Sequence, residues 1–254
     1  MGHRLSIVTV VKDDLPGFNR TLASLAQSSP GALLESEWIV VDSSSQTQEI
    51  PQAAQSSPLT CQLAWTPPEG VFEAMNAGLA MASGDYVYFL NAGDTLHSAA
   101  SLPAIHAGLS DTNPAWLYGQ VAFVNGMGAL TVPPRFNYPE EERALFARGR
   151  FPPHQGTVVN RRVLLELGGF DVRYRIAADY ALALRLSQIS APTELTEVIA
   201  DFAMGGISQT RWRDSVREFH AARQDVFEPR GIARAKETFY TARQALLLWA
   251  NSLR

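Results

Sequence analysis

The chain has 254 residues, of which 46% are hydrophobic and 18% charged, a balance that excludes a disordered polymer and suits one folded unit. Its net charge of −4 argues against a surface built for nucleic acid, and its single cysteine, Cys61, excludes an intrachain disulfide and any multi-cysteine metal site. Met1 to Leu5 runs straight into an apolar strand pattern and no apolar run reaches about 18 residues, so neither a signal peptide nor a membrane span is expected and the expected location is cytoplasmic.

Leu5–Val11 (LSIVTVV) is apolar on both faces, as in a strand buried inside a parallel sheet. Leu15, Phe18, Leu22 and Leu25 then recur at helical spacing. Trp38–Val41 reads as a second strand and Cys61–Trp65 as a third. Val71, Met75, Leu79 and Ala82 line one helix face, with Gly84 expected as the C′ residue. Tyr86–Leu90 is a fourth strand. This alternation predicts βαβ units and a largely parallel sheet. Beyond it, Trp116–Val124 reads as a strand, while Pro133–Pro139 and Phe151–Pro153 are Pro-punctuated loops. A strand is expected after Gln155. Arg161–Leu167, stopped by Gly168-Gly169, and Ala178–Gln188 read as helices, and Glu194–Met204 as a strand. From Ser208 the pattern is helical with a break near Pro229-Arg230-Gly231.

In an open parallel sheet, ligands bind beyond the carboxyl ends of the strands. Lys12, Asp13 and Asp14 follow the first strand, Asp42 and Ser43-Ser44-Ser45 the second, and Asn91-Ala92-Gly93-Asp94 the fourth. Each is also an ordinary turn former, but three strand ends delivering carboxylates to one rim suggest a site. No Gly-rich phosphate loop follows any strand, which speaks against a dinucleotide oxidoreductase or a P-loop ATPase. A divalent ion, bridging one or two carboxylates to substrate phosphates, is the other way to hold a nucleotide. Asp94 is placed for that role.

These segments, taken in order from Leu5 to about Ser208, resemble the inverting glycosyltransferases of family 2. SIVTVVKDD resembles the opening strand whose end contacts the nucleobase, implying donor contacts at Thr9 and Val11. IVVDSSS resembles the turn that places Asp42 on the base or ribose. GVFEAMNAGLAMASGDYVYFLNAGD resembles the stretch ending in the D-x-D motif, implying donor contacts at Glu73, Asn76 and Asn91 and a metal, Mn²⁺ or Mg²⁺, at Asp94. FPPHQGTVVNRRVLLELGGFD followed by IAADYALALRL resembles the acceptor-side segment, implying Asp179 as catalytic base and His154 and Gln155 as contacts to the donor pyrophosphate or to the acceptor. Arg211 and Trp212, after the Gly205–Ser208 turn, would close over the diphosphate. GVFEAMN, FLNAGD and GGIS look closest to transferases that build bacterial exopolysaccharide and colanic-acid-type polymers. Two positions depart from the family pattern: Asn91 and Gly93 are neutral within the acidic cluster, and Ala178 stands where relatives carry Glu before the base.

The resemblance implies a GT-A fold, a Rossmann-like α/β sheet with helices on both faces, over 1–207, with a helical extension over 208–254. It implies a UDP-linked sugar donor and a saccharide or lipid-linked acceptor. From Gly205 to Arg254 there are nine Lys/Arg and five Asp/Glu, a net of +4, leaving 12 − 20 = −8 for the remainder. Leu246-Leu247-Leu248-Trp249 with Arg243 and Arg254 either rests in a membrane interface or packs on the body or on a second subunit. Two other functions stay open on sequence: a nucleotidyltransferase, which lacks its basic loop after the first strand, and a non-catalytic relative, for which neutral Asn91 and Gly93 speak.

Overall fold

The computed structural model describes residues 4–45, 48–55, 60–133, 150–205 and 211–252. β1 (Leu5–Val11) pairs in parallel with β2 (Ser36–Asp42) on one side and β4 (Tyr86–Phe89) on the other, and β2 pairs in parallel with β3 (Cys61–Trp65). Helices α1 (Leu15–Ala26), α2 (Pro30–Leu34), α3 (Glu49–Gln55) and α4 (Val71–Met81) supply the connections. Side-chain alternation assigns the two faces. Val8 and Val10 join Ile39, Val41 and the α4 residues Phe72, Met75 and Leu79 in one core. Leu5, Ile7 and Val11 join Phe18, Leu25 and Trp38 in the other. All seven residues of β1 are buried, as its two-sided apolar pattern predicts.

The second half departs from the expected largely parallel sheet. The strand order is β3-β2-β1-β4-β8-β6-β9-β5, where β5 is Thr95–Leu96, β6 Trp116–Val124, β8 Thr157–Asn160 and β9 Thr193–Ala203. A short β7 (Leu130–Thr131) pairs with β6. β8 is the strand expected after Gln155, but it enters antiparallel between β4 and β6. β9 then runs parallel to β6, and β5 antiparallel to β9. Strand direction carries a consequence for the rim: because β8 opposes β4, the residues just before β8 arrive at the carboxyl end of β4. The same rim receives the end of β9.

Helix α5 (Ser101–Thr112), unassigned from sequence, buries Leu102, Ile105 and Leu109 at i, i+3 and i+7 under the β1 face that also carries α1. Helix α6 (Arg161–Glu166) ends as expected. Gly168 and Gly169 have φ of 76° and 70°, and their N–H groups bond back to Leu165 and Leu164. Gly84 does not cap α4, which closes at Ala82. It is small for another reason: a Cβ there would meet the Arg4 carbonyl at 2.7 Å. Its N–H, with Ser6 and Ser83, instead bonds the carboxylate of Glu37, a buried tie at the end of the sheet opposite the rim.

Helix α7 (Ala178–Ser187) packs under α8 (Trp212–Phe227), and α9 (Ile232–Ser252) follows after the expected break at Pro229–Gly231. Among the described residues no helix is long and apolar enough to cross a membrane. The loop expected over 134–139, the segment Gly206–Ser208, Arg254 and the side chains of Leu247, Leu248 and Trp249 fall outside the described residues.

Candidate active site

The turn after β4 is built for close approach. Ala92 N–H bonds the Val10 carbonyl at 3.0 Å, tying the turn to the end of β1. Gly93, at φ 98°, takes a left-handed conformation that strains other residues. Thr21 of α1 braces the turn from behind: its hydroxyl donates to the Asp94 carbonyl at 2.7 Å and accepts from Gly93 N–H at 3.1 Å.

Asp94 points inward and is only 5% exposed. Gln155 Nε2 donates to its Oδ2 at 3.0 Å, and the backbone N–H of Ala203, at the end of β9, donates to Oδ1 at 3.2 Å. Burial pushes its pKa up from 3.8 to about 6, with nearby His154 and the two hydrogen bonds pulling the other way. A carboxylate held this dry is short of positive charge.

His154 lies in a 3₁₀ turn, His154–Gly156, that leads into β8. Its Nε2 stands 3.1 Å from Asn91 Nδ2. An amide N–H only donates, so in this orientation Nε2 accepts and the ring proton sits on Nδ1. That nitrogen faces Asp179 Oδ2 at 3.5 Å. The separation is an electrostatic contact rather than a hydrogen bond, and buried Nδ1 has no hydrogen-bond partner among the described residues. The Oδ1 of Asn91 is likewise buried and without a partner among them.

Asp179 is the second residue of α7, where the N-terminal end of the helix dipole favours its negative charge. Its Oδ1 accepts the Tyr180 N–H at 2.7 Å. Asn91, Asp94, His154, Gln155 and Asp179 all line one open cavity of about 880 Å³. Lys12, Arg20, Arg150 and Arg175 bring cations to its wall, and Phe72, Phe151, Phe202 and Phe219 give it apolar surface. No signal in the sequence pointed to Arg20, whose neighbour Thr21 meets the turn only through contacts more than 70 residues apart along the chain.

The remaining sequence-derived positions divide. Val11 lines the cavity. Thr9 does not: it is fully buried and its hydroxyl accepts from the Trp38 indole at 3.0 Å. Asp42, 2% exposed, closes its own turn by accepting Ser44 N–H at 2.8 Å, while neighbouring Ser43 reaches the cavity wall. Asn76 is turned away and spent at both ends on Phe170, its Nδ2 donating to the carbonyl at 2.8 Å and its Oδ1 accepting the N–H at 2.9 Å. Glu73 pairs with Arg175 at 3.2 Å, so the arginine and not the glutamate contributes to the lining. Arg211 immediately precedes α8 and pairs with Asp214 at 2.8 Å, outside the lining, and the Trp212 ring is covered by Arg213 at 4.6 Å.

Residues 6–168 match the sequence model of the family described as Glycosyl transferase family 2. An uncharacterised glycosyltransferase of Mycobacterium tuberculosis is 28% identical over 211 residues, covering 82% of this chain and 78% of its own. A PGL/p-HBAD biosynthesis glycosyltransferase of Mycobacterium bovis is 30% identical over 152 residues, 56% of this chain and 54% of its own. Among solved structures, S. aureus TarS 1-349 in complex with UDP has a TM-score of 0.67 at 17% identity, covering 95% of this chain and 70% of its own. The mannosyltransferase PcManGT from Pyrobaculum calidifontis, in complex with GDP-Man and Mn²⁺, has a TM-score of 0.65 at 17% identity, over 98% of this chain and 76% of its own. At that identity the structural likeness carries the fold, which is GT-A.

Proposed function

The chain belongs to glycosyl transferase family 2 and is a glycosyltransferase, and from that premise we propose an inverting transfer from a nucleotide-sugar donor with Asp179 as the base. The observation that supports it is the meeting of Asp179, His154, Asn91 and Asp94 in one cavity at the carboxyl ends of the sheet. Asp179 would take the proton of the acceptor hydroxyl as that oxygen attacks the anomeric carbon from the face opposite the leaving nucleoside diphosphate. A UDP-linked donor is supported by the neighbour bound to UDP, and the other neighbour holds GDP-Man.

A divalent ion fits the residues present. Asp94 is a buried carboxylate that a cation would stabilise, and Asn91 offers an unpartnered buried oxygen beside it in the lining. Among the described residues no group of three His, Cys, Asp or Glu side chains forms a cage, which suits an ion completed by substrate phosphates rather than by protein alone. Bound there, Mn²⁺ or Mg²⁺ supplies neutralising charge to the leaving diphosphate. Lys12, Arg20, Arg150 and Arg175 add to that charge from the walls.

The acceptor we assign is a saccharide or lipid-linked saccharide of a bacterial polysaccharide pathway. Exposed Ile232, Phe239 and Leu246 on α9, in a segment of net charge +4, support peripheral contact with an anionic membrane. Liposome co-sedimentation that does not change on removing residues 245–254 removes that part. The division into a GT-A unit over 1–207 and a helical extension over 208–254 belongs to the same proposal.

The test is a thermal-shift panel of UDP, GDP, dTDP and NAD with and without Mn²⁺, followed by transfer assays with the nucleotide that binds. A ligand at a hundredfold excess over its Kd raises stability by about 2.7 kcal/mol. A metal-dependent shift with one nucleoside diphosphate is expected, and a flat panel for every diphosphate overturns the donor assignment.

A further inference from the structure

Helix α7 opens without a cap of its own. The residue before it, Ala177, has no side chain able to accept, and the Asp179 carboxylate accepts from the Tyr180 N–H rather than from the N–H groups of Ala177, Ile176 or Arg175. Their N–H groups are met instead by one carboxylate from α8. Glu218 Oε2 accepts from Ile176 N–H at 2.8 Å and from Ala177 N–H at 2.9 Å, and Oε1 accepts from Arg175 N–H at 3.2 Å. Three consecutive amides leading into the helix of Asp179 thus converge on a single charged group about 40 residues further along the chain. Hydrogen bonds to an ionised acceptor are shorter and stronger than neutral ones.

The same face of α8 fixes the other side of Asp179. Phe219 packs on the Tyr180 ring at 4.4 Å between centroids. Arg223, fully buried, donates from Nη1 to the Tyr180 hydroxyl at 3.0 Å, while its Nε bonds Glu237 at 2.8 Å and its Nη2 bonds Thr241 at 2.7 Å on α9. Asp179 therefore sits between a capped turn and a clamped tyrosine, both held by the C-terminal helices. Ile176 and Arg175 also line the cavity, so the capped turn forms part of its wall.

We infer that Glu218 is a positioning residue for Asp179, holding the turn 175–177 so that the carboxylate at the start of α7 faces the cavity and His154. This rests on the reading of Asp179 as the base. It also assigns the C-terminal helices a part in the reaction rather than in attachment alone. A displacement of the base by about 1 Å costs on the order of a hundredfold in rate while donor contacts elsewhere are untouched.

The experiment compares Glu218→Gln, Asp179→Asn and the double variant in the full chain, measuring kcat, donor KM and the thermal shift induced by UDP with Mn²⁺. Glu218→Gln keeps the side chain's shape but replaces one acceptor by an NH₂ group, and should lower kcat about ten- to a hundredfold, with a smaller change in donor KM and in the UDP shift, because Arg175 on the same turn borders the donor side of the cavity. In the Asp179→Asn background it should have no further effect, because it acts through Asp179. An unchanged kcat in Glu218→Gln overturns the inference, and so does an effect that simply multiplies with that of Asp179→Asn, which marks general weakening. If Asp179→Asn itself keeps full turnover, the base assignment falls and this inference with it, an outcome separate from the other two. Glu218→Asp, charged but one methylene shorter, is measured alongside. Should the amide variant not fold, a kcat lowered by more than donor KM changes in the aspartate variant supports the assignment, and an unchanged kcat overturns it.

Discussion

Asp94 offers a prediction whose size follows from its surroundings. Its carboxyl is pushed up from 3.8 to about 6, chiefly by burial. Between those two values the native state holds a proton that the unfolded chain has released. Stability therefore falls as pH rises through this window, and the full cost is present above about pH 6. Two units correspond to about 3 kcal/mol at neutral pH. Asp94→Asn removes that cost, offset in part because an amide has only one oxygen to accept from both Gln155 Nε2 and Ala203 N–H. The unliganded variant should melt a few degrees above the wild type at pH 7.5, at about 2–4 °C per kcal/mol for a chain of this size. The gap should shrink toward zero as pH approaches 4. Differential scanning calorimetry from pH 4.5 to 7.5 checks both statements. The same variant should lose the Mn²⁺-dependent part of the UDP shift. If Asp94→Asn melts at or below wild type across the whole range, the argument that Asp94 is an uncompensated buried charge is wrong.

Other expectations follow from single contacts. Asp179→Asn should lower kcat by about 10²–10⁴-fold while the UDP thermal shift survives, and unchanged turnover removes Asp179 from the chemistry. Asn76→Ala leaves the N–H and carbonyl of Phe170 without their partners and should destabilise the protein by about 1–3 kcal/mol per group in urea unfolding. Its donor KM should stay where it was, and a raised KM at unchanged stability contradicts this reading. Gly93→Ala forces a Cβ onto a residue at φ 98°, in open enough space that strain alone is incurred, about 1–3 kcal/mol, read as a lower melting temperature. Gln155→Ala removes a hydrogen bond that favours charged Asp94, so the pH below which Mn²⁺-dependent UDP binding is lost should move upward. Titrating that binding between pH 5 and 7 decides it.

Local pattern alone determined a good deal about this protein. The two-sided apolar run of Leu5–Val11 identified a central parallel strand, because burial on both faces leaves no polar alternation. The place of Asp94 just after an apolar strand was legible from pattern, whereas Asp179 was singled out only by the family resemblance, its helix-start position alone fitting an ordinary turn of helix; both line the cavity. Strand direction in the second half was not legible. Thr157–Asn160 reads the same whether it enters parallel or antiparallel, and only its pairing with β4 and β6 brings His154 and Gln155 to the rim.

Side-chain partners were equally out of reach. Asn76 has helical spacing from Glu73 that suits a shared donor-facing side, yet its amide is consumed by Phe170, 94 residues away. Thr9 sits on the strand face that turns toward Trp38, so its hydroxyl is satisfied inside the core. Glu218 looks on sequence like one more charge on a basic tail, and becomes the anchor of the turn leading into the helix of Asp179 only once α8 is laid across α7. Periodicity and turn chemistry are properties of neighbouring residues and survive in a sequence read alone. Which donor meets which acceptor depends on packing that joins distant segments, and the tertiary structure alone decides it.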